Sequence, residues 1–216
     1  MHTFFENEHF FNFVNLLNLL YINQIILKMK NVAILASGSG SNAENIIKHF
    51  SGSKDVHIPF VLCNKKDAFV HERAKSLGVK SMTFSKNELE NGEILNLLKR
   101  ENIDFIVLAG FLLKIPAEWV EAFQNRIVNI HPALLPKFGG KGMYGMRVHE
   151  AVVANGEKES GITIHYVNEV YDSGAIIFQA KCDVLPTDSL EDVANKVHAL
   201  EYEHFPRVIE EVLNKL

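Results

Sequence analysis

The stretch "NVAILASGSGSNAENIIKHF", Asn31 to Phe50, decides the architecture. It opens with a β-branched apolar run, Asn31 to Ala36, of the length and composition of a buried strand. After a serine- and glycine-rich turn, Ile46, Ile47 and Phe50 recur at helical spacing and share one face. Strand, tight turn and helix follow one another, which is the first half of a βαβ unit. Gly38 and Gly40 fall in the turn, where backbone N–H groups and the positive end of the helix can hold an anion. With Ala43 they also match a loose G-x-G-x-x-A dinucleotide pattern, a weak signal by itself. A dinucleotide fold needs an acidic side chain at the end of the second strand for the ribose hydroxyls, and that strand ends "LCNKK", with Asn64, Lys65 and Lys66. NAD is therefore disfavoured, while an NADP-dependent oxidoreductase and a non-catalytic nucleotide-binding module stay open. Ser41 and Asn42 place hydroxyl and amide donors beside Gly40, which suits a terminal monophosphate.

Outward from this unit the alternation continues. "VHIPFVLCN" (Val56 to Asn64) reads as the second strand and "DAFVHERAKSLG" (Asp67 to Gly78) as a helix stopped by glycine. A brief strand, "VKSMTF", precedes Ser85 and Glu88, a capping box for a helix expected to run to about Arg100. "DFIVLAG" (Asp104 to Gly110) is a buried strand, Pro116 suits the first turn of another helix, and "RIVNI" is the next strand. Strands and helices in this order imply right-handed crossovers and a mostly parallel, Rossmann-like doubly wound α/β sheet. Beyond it, Gly161 to Asn168 and Ala175 to Val184 are joined by a short loop, which predicts an antiparallel hairpin extending the sheet. Asp188 with Glu191 marks a final helix, expected to be kinked or broken at Pro206.

Composition narrows the function. The chain has 216 residues, 47% hydrophobic and 22% charged, enough for one domain with a full core. A net charge of −4, with scattered rather than striped basic residues, argues against a nucleic-acid partner. Only Cys63 and Cys182 are present, far apart, so neither a disulfide framework nor a thiolate metal site is suggested and a reducing cytoplasm is expected. Residues 1–28 are dominated by Phe, Leu, Ile and Asn. They lack the basic start and small-residue end of a signal peptide, and Asn12, Asn15, Asn18, Asn23 and Gln24 interrupt any membrane span. The expectation is a non-functional extension over 1–28 and a single domain over 29–216; the rival is a short helix packed on the body or on a membrane surface.

The chemistry gathers at "RIVNIHPALLPKFGG", Arg126 to Gly140. Asn129 and His131, two apart on a strand, point to one side, and Pro132 ends the ladder, so both stand at the carboxyl edge where open α/β sheets bind ligands. A lone histidine near a turn is commonly just hydrogen-bonded to backbone. Asp172 lies in the hairpin turn "NEVYDSGAI", where it can reach back toward His131 or merely stabilise its own turn. Asn, His and Asp include no nucleophile, and one histidine at the edge gives no metal site. An amide donor beside an imidazole fits a reaction that builds negative charge on a carbonyl oxygen while protons leave an attacking group, as in acyl transfer to an amine.

At these residues the sequence resembles a known family. "ILASGSGSN", "VLAGFLLKIP", "VNIHPALLPKFGG", "GITIHYVNEVYDSGAII" and "ALEYEHFP" are together similar to the glycinamide ribonucleotide transformylase family of folate-dependent formyltransferases, over about Met29 to Leu216. The resemblance implies the formyltransferase fold and attack of a substrate's primary amine on the formyl group of 10-formyltetrahydrofolate, in the cytoplasm, by a monomer or homodimer acting on small molecules without metal, membrane or nucleic acid. It implies that Asn129 donates to the formyl oxygen, that His131 stabilises the tetrahedral intermediate and moves protons, and that Asp172 orients it and accepts the amine proton. Gly40, Ser41 and Asn42 match ribose-phosphate positions and Glu201 a carboxylate on the sugar hydroxyls. Phe111, Leu112 and Leu113, with Val167, Asn168, Glu169, Val170 and Tyr171, match the wall around the pterin. One segment departs from the family: after "LPKF" the shorter Pro-Gly-His continuation is replaced by "GGKGMYGMRVHEAV", retaining a histidine at His149. Lys141, Tyr144 and Arg147 then either supply substrate contacts made otherwise in relatives or belong to a lid. Another folate-dependent formyltransferase or hydrolase is the alternative within the family.

Overall fold

The computed structural model describes residues 29–216. Both readings of residues 1–28, a dispensable extension and a packed helix, lie outside the described residues. Strand β1 (Lys30–Ala36) runs through the centre of the sheet, and Val32 to Ala36 are all fully buried. Such complete burial explains why this run carries no polar side chain. The chain then forms α1 (Ser41–His49), β2 (Val56–His57), β3 (Phe60–Cys63), α2 (Val70–Ser76), β4 (Lys80–Thr83), α3 (Lys86–Glu90), α4 (Glu93–Arg100) and β5 (Phe105–Leu108). It continues through α5 (Ala117–Ala122), β6 (Ile127–His131), α6 (Met146–Ala154), β7 (Glu159–Tyr166), β8 (Ile176–Asp183) and α7 (Leu190–Leu213).

The strands order as β4-β3-β1-β5-β6-β7-β8, with β2 also paired to β1. Pairing is parallel from β4 to β6, then antiparallel between β6 and β7 and between β7 and β8. This is the doubly wound sheet with an antiparallel extension expected from the sequence. Alternation along β1 sends side chains to both faces. Val32 and Ile34 pack with Ile46 of α1 and with Phe205 and Ile209 of α7, while Ala33 and Leu35 pack with Leu89 of α3, Leu98 of α4 and Trp119 of α5. Burial of a large apolar side chain such as Phe105 or Phe205, both fully enclosed, stabilises the fold by roughly 1.5–3 kcal/mol. From β1 the chain moves outward to β3 and β4 and then returns to β5 on the other side. The loops after β1 and β5 therefore diverge, and the crevice between them is the topological switch point.

Four expectations are corrected. The strand expected over Val56 to Asn64 is two strands, because Pro59 between them has no N–H for the ladder. The helix expected from Ser85 to Arg100 keeps its capping box but breaks at Gly92, whose φ of 87° lies in the left-handed region. Helix α6 arises from inside the glycine-rich departure, where no helix was read. Finally, of the kink or break expected at Pro206, the break does not occur, and α7 runs on through it. Proline removes the N–H that would bond the Tyr202 carbonyl four residues earlier, and Asn45 Nδ2 donates to that carbonyl instead, at 2.8 Å. Among the described residues no helix is long and apolar enough to cross a membrane.

Candidate active site

Ser37, buried at the carboxyl end of β1, ties three strand ends together. Its N–H donates to the Gly110 carbonyl at 3.1 Å, its hydroxyl donates to Asn64 Oδ1 at 2.6 Å, and it accepts from the Leu112 N–H at 2.9 Å. Asn64 stands where a dinucleotide fold would need its ribose-binding acid, and here it is committed to this scaffold. Gly40 then turns the chain into α1 with φ 75°, and a Cβ there would fall 2.3 Å from Val70 Cγ2 and 2.8 Å from Val70 Cα. Glycine is thus required both by backbone conformation and by the approach of α2. Arg73 holds the turn by donating to the Ser39 carbonyl at 3.0 Å while paired with Glu44. No side chain caps α1, so the N–H groups of its first turn are presented to whatever lies in the crevice.

On β6, Asn129 and His131 share a side, opposite His165 and Thr163 on β7. His165 Nδ1 lies 2.8 Å from the Tyr166 carbonyl, which can only accept, so this nitrogen carries a proton. Nε2 is then the acceptor for Asn129 Nδ2 at 3.1 Å, which fixes the orientation of the amide and leaves its second N–H uncommitted to this contact. His131 Nε2 donates to the Phe138 carbonyl at 2.8 Å, which turns Nδ1 toward Asp172 Oδ2 at 3.6 Å. That separation exceeds a hydrogen bond and suits an Nδ1 with no proton. Asp172 Oδ2 accepts from the Gly140 N–H at 2.8 Å, and Oδ1 lies 3.7 Å from His165 Nε2.

The hairpin delivers Asp172 to this position through two backbone constraints. Asp172 itself has φ 53°, a left-handed conformation that aspartate tolerates better than most residues. Gly174 is pressed against β7 so closely that a Cβ would meet the Tyr166 carbonyl oxygen at 1.7 Å. Burial pushes the Asp172 carboxyl up, but His165, His131 and the Gly140 N–H together outweigh it and hold the group below the usual carboxylate range. Burial, aided by His165, holds His131 below the ordinary histidine range against the opposing pull of Asp172 and the Phe138 carbonyl. The resting pair is a neutral imidazole beside a carboxylate, ready to receive one proton between them.

These groups open onto a cavity of about 570 Å³, also lined by Gly40, Ser41, Asn42 and Glu201. Asn42 Nδ2 donates to Glu201 Oε2 at 2.9 Å; both residues are buried, and burial raises the Glu201 carboxyl to about 7 despite that bond. A second, narrow slot of about 60 Å³ lies past Asn129 and Asp172, walled by Phe111, Leu113, Val167, Asn168, Val170 and Tyr171. Leu112 faces the larger cavity and not the slot, and Glu169 lines neither.

Three histidines beyond His131 belong to the site: His165 and His198 were missed in the sequence, and His149 was noted only as the histidine retained in the departing segment. His165 supports Asn129; His149 and His198 line the large cavity with ring centroids 6.2 Å apart. Burial and the neighbouring histidines lower His149 to about 4. For His165 the signal was available: on a strand antiparallel to β6 it sits two residues from Thr163, with the same alternation as Asn129 and His131. For the pairing of His149 with His198 none was, because separate helices bring them together.

The family described as Formyl transferase matches residues 30–209. The chain is 41% identical over 189 residues to the chloroplastic phosphoribosylglycinamide formyltransferase of Arabidopsis thaliana, covering 84% of this chain and 65% of that protein. It is 36% identical over 187 residues to the phosphoribosylglycinamide formyltransferase of Haemophilus influenzae, covering 84% of this chain and 86% of the relative. The chain thus spans slightly less than two thirds of the plant protein's length. Among solved structures, the phosphoribosylglycinamide formyltransferase of Anaplasma phagocytophilum superposes with a TM-score of 0.79 at 34% identity, covering 87% of this chain and 89% of that one.

Proposed function

The chain belongs to the formyl transferase family, and from that premise we propose that it transfers a formyl group from 10-formyltetrahydrofolate to the primary amine of glycinamide ribonucleotide, in purine biosynthesis. The observation that carries this reading is the convergence of Asn129, His131 and Asp172 at the rim of a cavity that also receives the open amino-terminal end of α1. The ribosyl phosphate binds at Gly40, Ser41 and Asn42, with Glu201 on the sugar hydroxyls. The pterin enters beside Phe111 and Leu113 and the Val167 to Tyr171 loop, whose apolar walls and backbone groups suit a flat heterocycle.

The amine nitrogen attacks the formyl carbon, and the carbonyl oxygen gains the charge. The Asn129 N–H not held by His165 donates to that oxygen, preorganised because the other is already fixed. A proton leaves the nitrogen for Asp172, directly or through water, and His131, whose Nδ1 lies 3.6 Å from that carboxylate, is placed to pass it on. Collapse of the intermediate breaks the bond from the formyl carbon to the folate nitrogen, which takes up the proton. Residues 29–216 are the catalytic unit, so a chain beginning at Met29 retains turnover.

The test combines protein, glycinamide ribonucleotide and a 10-formyl folate while following the deformylated folate by absorbance. Asn129→Ala should lower kcat by about 10²–10³, and Asp172→Asn by a comparable factor, with melting temperatures close to the parent. Near-normal rates in both variants would remove the assigned roles.

A further inference from the structure

A bound phosphate monoester brings almost two negative charges into the large cavity, and the cavity already holds the carboxyl groups of Asp172 and Glu201. The end of α1 offers only partial positive charge, equivalent to about half an elementary charge. Arg73, the basic residue that reaches the glycine turn from α2, is committed to Glu44 and the Ser39 carbonyl. Among the residues that line the cavity, the only lysine and arginine are Lys141 and Arg147. Both are exposed, and neither makes an ion pair with any described residue; Arg147 instead rests over the Tyr144 ring, 5.0 Å from its centroid.

Arg147 lies in the first turn of α6, a second helix whose amino-terminal end reaches the cavity. No side chain caps this helix and its first turn contains no acidic residue, so its end is electrostatically open. An independent feature of the same wall points to a ligand. His149, on α6 and 1% exposed, lines the cavity with its Nδ1 buried and without a hydrogen-bond partner. A buried polar atom left unpaired is costly unless something binds to it.

Resting on the function proposed above, we infer that Lys141, Arg147 and the amino-terminal end of α6 form the second half of the phosphate site, neutralising the ribosyl phosphate that α1 holds from another wall of the same cavity. The glycine-rich departure from the family pattern is then a specificity element for the phosphorylated substrate. The carboxylates of a folate tail are not the preferred anion here, because the slot on the folate side has its own cation, Lys114.

The experiment uses the full chain and ribose 5-phosphate as probe, with binding measured by calorimetry at fixed ionic strength and without folate. Arg147→Ala should weaken binding about 10- to 100-fold, the range for losing one charge-assisted contact, with Lys141→Ala having a smaller effect in the same direction and Arg147→Lys recovering part of the loss. Lys158→Ala, an exposed change outside the cavity, should change affinity less than about twofold. In turnover, Arg147→Ala should raise KM for glycinamide ribonucleotide by the same factor as it weakens the probe, with kcat lowered less than about threefold and KM for the formyl donor nearly constant. Ribose 5-phosphate affinity within twofold of the parent in a variant carrying both Lys141→Ala and Arg147→Ala overturns the inference, as does a rise in KM confined to the formyl donor. Weakened probe binding in a protein that forms no product from glycinamide ribonucleotide supports the anion site while refuting the proposed reaction.

Discussion

Glu201→Gln and His149→Gln should change the pH dependence of folding in opposite senses. Glu201 is 6% exposed, and burial raises its carboxyl from 4.5 to about 7. Between those values the unfolded chain has lost a proton that the folded chain keeps, so stability falls as pH rises. At roughly 1.4 kcal/mol for each pH unit, the full effect is about 3 kcal/mol. His149 is 1% exposed and is lowered from 6.5 to about 4. There the unfolded chain binds the proton that the folded chain refuses, so stability falls as pH drops, again by up to about 3 kcal/mol. The two slopes oppose each other over most of the same range, and the parent protein conceals both. Glutamine at 201 keeps an oxygen for Asn42 Nδ2 but cannot ionise, so its stability relative to the parent should improve by about 2–3 kcal/mol between pH 4.5 and 7.5. Urea denaturation without ligand measures this, and comparing two pH values cancels any constant packing cost. A relative stability for Glu201→Gln that is equal at both pH values would refute the reasoning.

Other expectations are more local. Asn45→Ala should cost about 0.5–1.5 kcal/mol by leaving the Tyr202 carbonyl without its donor, and less in a Pro206→Ala background, where the helix supplies an N–H; a double-mutant cycle in urea measures the coupling. Gly40→Ala should destabilise the protein and weaken ribose 5-phosphate binding together. Val70→Ala should not rescue it, because the added Cβ would still lie 2.8 Å from Val70 Cα; melting temperature and calorimetry decide. Gly174→Ala should lower kcat by moving Asp172, since the new Cβ would meet the Tyr166 carbonyl at 1.7 Å, and a crystal structure of the variant would show whether the carboxylate has left His131.

Local pattern carried the layout because each signal is local. An apolar run without polar interruption is a strand covered on both faces, and a glycine between such a run and a helical stripe is a turn. Strand alternation placed Asn129 and His131 together, and the order of strands placed them at the rim that receives the glycine loop. The same reasoning allowed a break at Pro206 that does not occur, because the compensating donor is Asn45, remote in the chain, and it failed at α6, whose glycine-rich approach hides a helix stabilised by Val148 and Val152 in the interior.

What the sequence by itself determined was the alternation of strands and helices that builds the parallel sheet and its hairpin extension, the carboxyl edge as the reactive one, and the residue types gathered there. Only the tertiary structure decided which proton each imidazole carries, because tautomers follow from carbonyls such as those of Phe138 and Tyr166. It alone set the charge balance of the cavity, where Glu201 and His149 are pulled to opposite sides of their ordinary values by burial. It alone brought Lys141 and Arg147 to the wall of the cavity that α1 opens into. Electrostatics depends on distance and solvent exclusion between groups far apart in the chain, and neither quantity is written in the order of the residues.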